Sequence, residues 1–138
     1  MKPYVEHANL TVRHLENTIQ FLQTAIPEFS VRHLGQQPTH RWCHIGTDET
    51  YLALQEVVDR DQIDRHPYLD LGINHIGLVV DDILQVRTRL LEAGYRENEM
   101  ETSHPWRERV YFYDKDGIEW EFIQYLTAEP ALRHDYSL

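Results

Sequence analysis

The sequence is poor in cysteine, in positive charge and in long apolar runs, and each shortage excludes something. Cys43 is the only cysteine, so no disulfide can close within the chain and a reducing, cytoplasmic setting is the expectation. Lys and Arg total 13 against 23 Asp and Glu, a formal net charge of −10. Nucleic acid and anionic membrane surfaces recruit basic patches, so neither is expected as a partner. No apolar h-region follows Lys2 and polar residues interrupt every later apolar run, so neither a signal peptide nor a membrane span is expected. What remains is a chain of 138 residues, 41% hydrophobic, enough for a real core. It also carries nine histidines, of which only position can single out the special ones.

The chain repeats itself. When the sequence is slid along itself so that His7 falls on His75, Ala8, Leu10 and Val12 fall on Ile76, Leu78 and Val80. Leu15 then falls on Ile83, Leu22 on Leu90 and Leu54 on Phe122. This one ungapped offset is expected to hold from the first strand of each half to the last, as after an old duplication. It places Cys43 on Tyr111, with Cys43 read as structural.

Each half reads as βαβββ. In residues 5–12, Ala8, Leu10 and Val12 share one face and His7, Asn9 and Thr11 the other, the alternation of a half-buried strand. Leu15, Ile19, Leu22 and Ile26 follow at helical spacing, and Pro27 ends the helix. Strands are expected at 29–35, 40–46 and 50–57. The second half repeats this with a strand at 73–80, a helix from about 82 to 93, a turn at Gly94 and strands at 95–100, 107–114 and 118–125. Asp114-Lys115-Asp116-Gly117 has hairpin chemistry. The expected organisation is one domain over 1–138: a first module of about 4–57, a connection over 58–72, a second module of about 73–126 and a tail over 127–138.

His7 and His75 occupy the same position of the two repeats, each on the strand face opposite its apolar partners. On the last strand Trp120 and Phe122 read as core-facing, so Glu119, Glu121, Ile123 and Tyr125 share the other face. A carboxylate in so apolar a strand is costly without a partner, and a divalent cation would supply one. His7, His75 and Glu121 then form a two-histidine, one-carboxylate pattern with coordination positions left open. Glu119 is expected nearer the hairpin and solvated. The plain alternative for each histidine is an ordinary hydrogen-bonded strand residue.

The strings VEHANLTV, NHIGLVVDD and YFYDKDGIEWEFIQY resemble the vicinal-oxygen-chelate superfamily of glyoxalase I, bleomycin-resistance proteins and extradiol dioxygenases. The resemblance implies an α+β fold of two tandem βαβββ modules in a curled, cup-like mixed sheet with helices on its outer face. It implies a divalent metal (Fe, Mn, Zn, Ni or Co) on His7, His75 and Glu121. Where glyoxalase I takes a further Glu from the first module, the offset puts Ala53, so glyoxalase I activity is disfavoured. Gln55, on the same strand face, is the candidate fourth ligand, and Glu56 is expected to turn to the core or the rim. Asn9, Trp106, Arg109, Tyr111 and Tyr113 are the candidates to line a substrate pocket. The function implied is a metal-dependent enzyme, lyase, isomerase or dioxygenase-like, acting on a small oxygen-rich chelating substrate. The alternative is a non-catalytic antibiotic-binding protein of the bleomycin-resistance type. Sheet edges in need of cover make a homodimer the expected assembly.

Overall fold

The computed structural model describes residues 1–57, 61, 63–101 and 103–137. The start of the expected connection, residues 58–60 and 62, lies outside the described residues, as do residues 102 and 138. The chain forms two compact units, Met1–Arg65 and His66–Leu138. Their boundary falls inside the expected connection, whose last residues belong to the second unit.

The first unit runs β1 (His7–Val12), α1 (Leu15–Ala25), β2 (Ser30–Gln36), β3 (His40–Gly46) and β4 (Tyr51–Val57). Its four-stranded sheet has the order β1-β4-β3-β2, with β1 parallel to β4 and the other pairs antiparallel. The second unit repeats the plan: β5 (His75–Val79), α2 (Ile83–Glu92), β6 (Arg96–Asn98), β7 (Arg107–Tyr113) and β8 (Glu119–Tyr125), ordered β5-β8-β7-β6. Each unit is therefore the expected βαβββ module of an α+β fold.

In each unit one sheet face is covered by the unit's own helix. Leu10, Val12, Cys43, Ile45, Leu52 and Leu54 meet Leu15, Phe21, Leu22 and Ala25 of α1 in a layer whose helix side adds one polar residue, Thr18. The helix presents Leu15, Thr18, Phe21, Leu22 and Ala25 to this core, so the inward stripe is turned slightly from the expected one and Ile19 and Ile26 are only half-buried. Phe21 claims the centre because it is the largest apolar side chain on the helix. In the second unit Ile83, Val86 and Leu90 of α2 cover Phe112, Trp120 and Phe122. Burial pushes the Cys43 thiol up to about 11, so it is a small core residue without thiolate character.

The duplication extends to the way each helix is started. His14, the residue before α1, makes no side-chain cap, and the Leu15 N–H instead donates to Glu56 Oε2 at 2.8 Å. At the equivalent place in the second unit, the Ile83 N–H donates to Gln124 Oε1 at 3.0 Å. A side chain on the last strand of each module thus takes an otherwise orphaned helix N–H. Glu56 turns to the core side, where Arg41 also reaches it.

The single offset holds for the first and last strands of each module and fails on the two strands between them. β1 and β4 match β5 and β8 at the spacing that carries His7 onto His75, with His7 beside Tyr51 and His75 beside Glu119. Yet Ala53 faces His44 across β3, whereas Glu121 faces Tyr111 across β7, so β3 and β7 match at a spacing one residue shorter. The turn between β7 and β8 spans 114–118 and that between β3 and β4 spans 47–50, one residue fewer. The counterpart of Cys43 is therefore Val110, and that of Tyr111 is His44.

The hairpin before β8 is held by Asp114. Its Oδ1 accepts from the Asp116 and Ile118 N–H groups at 2.9 and 3.0 Å, and its Oδ2 from the Trp120 indole N–H at 3.0 Å. Gly117 supplies the positive φ of 79° that the turn needs. The tail is tied to its own unit: a single helical turn, α3 (Pro130–Arg133), lies where Arg133 stacks over Tyr125 and Arg107 Nη1 donates to the Arg133 carbonyl at 3.0 Å. No helix among the described residues is long and apolar enough to cross a membrane.

Replacing Glu56 by Ala strips the buried Leu15 N–H of its acceptor. The expected cost is about 1–3 kcal/mol in urea unfolding, and a change within about 0.5 kcal/mol would show that this cap contributes nothing.

Candidate metal centre

The sheet face turned away from each helix carries the chemistry. In the second unit, register puts His75 beside Glu119 and Gly77 beside Glu121 on β5 and β8. Across β7, Tyr111 stands beside Glu121 and Tyr113 beside Glu119. The alternation of β8 sends Trp120 and Phe122 inward and both glutamates to the opposite face, as expected.

Two donor atoms face each other there. His75 Nε2 lies 3.1 Å from Glu121 Oε2. The other polar atoms of both residues are already engaged. Glu121 Oε1 accepts from the Tyr111 hydroxyl at 2.7 Å, and burial and this bond push the Tyr111 phenol up to about 12. His75 Nδ1 lies 2.9 Å from the Tyr68 hydroxyl. Gly77 keeps the approach clear: a Cβ there would stand 3.5 Å from Glu121 Oε2 and 3.2 Å from the Ile123 side chain.

Glu119 corrects an expectation. It is not solvated but 4% exposed, and it accepts hydrogen bonds from the Tyr68 hydroxyl and from Asn98 Nδ2, the latter at 2.7 Å. Burial works against its charge, but the bonds from Tyr68, Asn98 and Tyr113, with His75 nearby, outweigh it and hold its carboxyl below the usual range. Neither Tyr68 nor Asn98 stood out in the sequence. Tyr68 sits in what read as a connection, and Asn98 in a three-residue strand with little pattern.

The remaining candidates are placed unevenly. Arg109 lies two residues from Tyr111 on the same strand face, opposite Ile123. Trp106 stands just before β7, where its carbonyl accepts from the Leu126 N–H at 2.9 Å. It is five residues along the chain from Tyr111, about 17 Å in an extended strand, so β7 does not bring it to Glu121.

In the first unit, His7 lies on the open face of β1, its ring stacked on Tyr51 at 4.7 Å between centroids and its Nδ1 3.0 Å from Glu6 Oε2. The ring contacts continue through His44 to Trp42 and His33. Burial, then the positive potential of His7, Arg32 and His33, holds His44 below its usual value and favours its neutral ring. A recess of about 270 Å³ opens here, lined by Asn9, Trp42, His44 and Gln55 among others, with Ala53 at the position that corresponds to Glu121. The sequence reading missed Trp42 and His44, because its ungapped offset aligned Cys43, the core residue between them, with Tyr111.

The donor set of the second unit fits a divalent cation. Two ligand atoms each about 2.1 Å from one ion at a right angle lie about 3 Å apart, close to the His75–Glu121 separation. The far nitrogen of His75 and the far oxygen of Glu121 have the outer partners that orient metal ligands. Within either unit, among the described residues, no three His, Cys, Asp or Glu side chains form a group that could hold a metal ion. His7 belongs to one unit, and His75 and Glu121 to the other.

The family model of the Glyoxalase/Bleomycin resistance protein/Dioxygenase superfamily matches residues 4–122. The chain belongs to that superfamily. No curated protein matches it. Among solved structures it is similar to a glyoxylase/bleomycin resistance protein/dioxygenase domain from Frankia sp. EAN1pec, at 21% identity and a TM-score of 0.74 over 91% of this chain and 99% of that one. The fosfomycin resistance protein FosX of Listeria monocytogenes, solved with Mn(II) and sulfate, matches at 17% identity and 0.71 over 98% and 100%. The trypanothione-dependent glyoxalase I of Leishmania major matches at 16% and 0.72 over 89% and 87%. At these identities the likenesses speak for the fold.

Glu119→Ala strips the common acceptor from Tyr68, Asn98 and Tyr113. We expect a loss of about 2–3 kcal/mol in urea unfolding, whereas a solvated surface glutamate would change stability by no more than about 0.5 kcal/mol.

Proposed function

We propose that this member of the superfamily is a divalent-metal-dependent enzyme whose ion is held by His7, His75 and Glu121. Its substrate is a small oxygen-rich molecule that chelates through neighbouring oxygens. The observation that carries the reading is the His75 Nε2–Glu121 Oε2 pair at 3.1 Å, in which both residues have their other polar atoms engaged. Two such atoms so close need a proton or a cation between them, and the superfamily includes proteins solved with Mn(II). His7 is assigned by its equivalence to His75: each stands on the first strand of its module, on the open face, beside the first residue of the last strand.

Such an ion, when bound, supplies Lewis-acid stabilisation of negative charge on a substrate oxygen. The chain's own part is to hold three ligands and leave the remaining positions open. Tyr111 fixes Glu121, and Gly77 leaves room beside its carboxylate. Ala53 supplies no carboxylate where the duplication would allow one, which argues against glyoxalase I chemistry. Gln55 of β4 is our candidate fourth donor; it is half-buried and lines the recess beside Asn9. The ring-lined recess with Trp42 and His44 favours a second reading, a protein that binds a small molecule without transforming it.

Metal analysis separates the two. Protein purified without chelator is expected to carry close to one equivalent of a divalent metal. Apo protein is expected to melt higher with added Mn²⁺, Fe²⁺, Co²⁺, Ni²⁺ or Zn²⁺. His7→Ala, His75→Ala and Glu121→Ala should each weaken uptake at least about tenfold. Absence of metal together with unchanged melting in the wild type would end the metalloenzyme reading and leave the binder.

A further inference from the structure

The position of Tyr68 makes a specific demand. Its φ is 67°, in the left-handed region that bulky side chains avoid. The strained backbone is held in place: the Tyr68 N–H donates to Asn74 Oδ1 at 2.7 Å. The result is a hydroxyl that touches both His75 Nδ1, at 2.9 Å, and Glu119 Oε1. The imidazole nitrogen and that carboxylate oxygen are themselves 3.6 Å apart, beyond a good hydrogen bond, so Tyr68 is what joins them.

Proton counting gives the bridge a direction. Glu119 is an acceptor on both oxygens, taking Asn98 Nδ2 on Oε2 and the Tyr68 hydroxyl on Oε1. A phenol has one proton, and Tyr68 spends it on Glu119. The Tyr68 oxygen can therefore only accept from His75, so the proton between them sits on Nδ1. With Nδ1 carrying a proton, Nε2, the atom 3.1 Å from Glu121, is the nitrogen left to offer a lone pair.

We propose that Tyr68, seated on Glu119, is a positioning residue that keeps the ring proton of His75 on Nδ1 and so presents Nε2 as the donor atom toward Glu121. The assignment rests on the metal reading for its purpose, but the proton position is a property of the protein alone. It also accounts for an unfavourable backbone conformation, a buried carboxylate and an asparagine that otherwise share no task.

The test is Tyr68→Phe, which removes one oxygen and leaves the backbone and ring volume unchanged. Two measurements are made on the full chain. Long-range proton–nitrogen NMR of His75 at about pH 8, above the ordinary imidazole range, reports which nitrogen carries the proton. Titration with Mn²⁺ and Zn²⁺ reports affinity. The wild type is expected to keep Nδ1 protonated with and without Zn²⁺. Tyr68→Phe should move the proton to Nε2 in the metal-free protein and weaken both metals about 10–100-fold. Nδ1 lacking the proton in the wild type, or a ring state unchanged in Tyr68→Phe, overturns the proposal. So does an unchanged affinity in a wild type that binds metal. If the wild type binds no metal, the metal reading fails, and the NMR result alone decides whether the relay exists.

Discussion

The fold places a histidine and a glutamate on adjacent parallel strands, with their donor atoms 3.1 Å apart and their remaining polar atoms engaged. The polar side of the second unit is arranged around that contact. The Asp114 turn and the buried Trp120 fix the pleat of β8, so that Glu121 points away from the helix. Tyr111 holds the far oxygen of the carboxylate and Tyr68 the far nitrogen of the imidazole. Gly77 leaves the gap that a larger residue would fill. Such a pair needs a proton or a cation between its facing atoms, and a bound metal ion would meet that need.

Duplication explains both what the two units share and where they differ. The shared part is structural: the first and last strands pair in matched register, and the helix starts are taken by Glu56 in one unit and Gln124 in the other. The differences lie on the open faces. Where the second unit has Glu119, Glu121 and Tyr111, the first has Tyr51, Ala53 and His44. One module carries a polar cluster of carboxylates, phenols and an imidazole. The other carries a ring-lined recess with His44 and Trp42, and His7 on β1 at the place equivalent to His75.

Much of this was legible in the sequence because a strand with one face on a core must alternate. Leu10 and Val12 against His7, and Trp120 and Phe122 against Glu121, betray both the strand and the direction of its polar side chains. The Asp-x-Asp-Gly run names its own turn. Three things were hidden. Nothing local marks the extra residue in the second hairpin, so the ungapped sequence sets Tyr111 against Cys43 where the fold sets it against His44. Glu119 read as solvated because its partners, Tyr68 and Asn98, come from 51 and 21 residues away in the chain. Tyr68 lies where no periodicity exists, and only its backbone angle and its two contacts reveal it.

The central claim is that His75 and Glu121 share one cation. X-ray absorption on the protein loaded with one equivalent of Zn²⁺ reports the bound imidazole directly. The account predicts histidine nitrogen at about 2.0–2.1 Å with oxygen among the remaining ligands, and one nitrogen fewer in His75→Ala. A wild-type spectrum without imidazole, or one unchanged in His75→Ala, would contradict it.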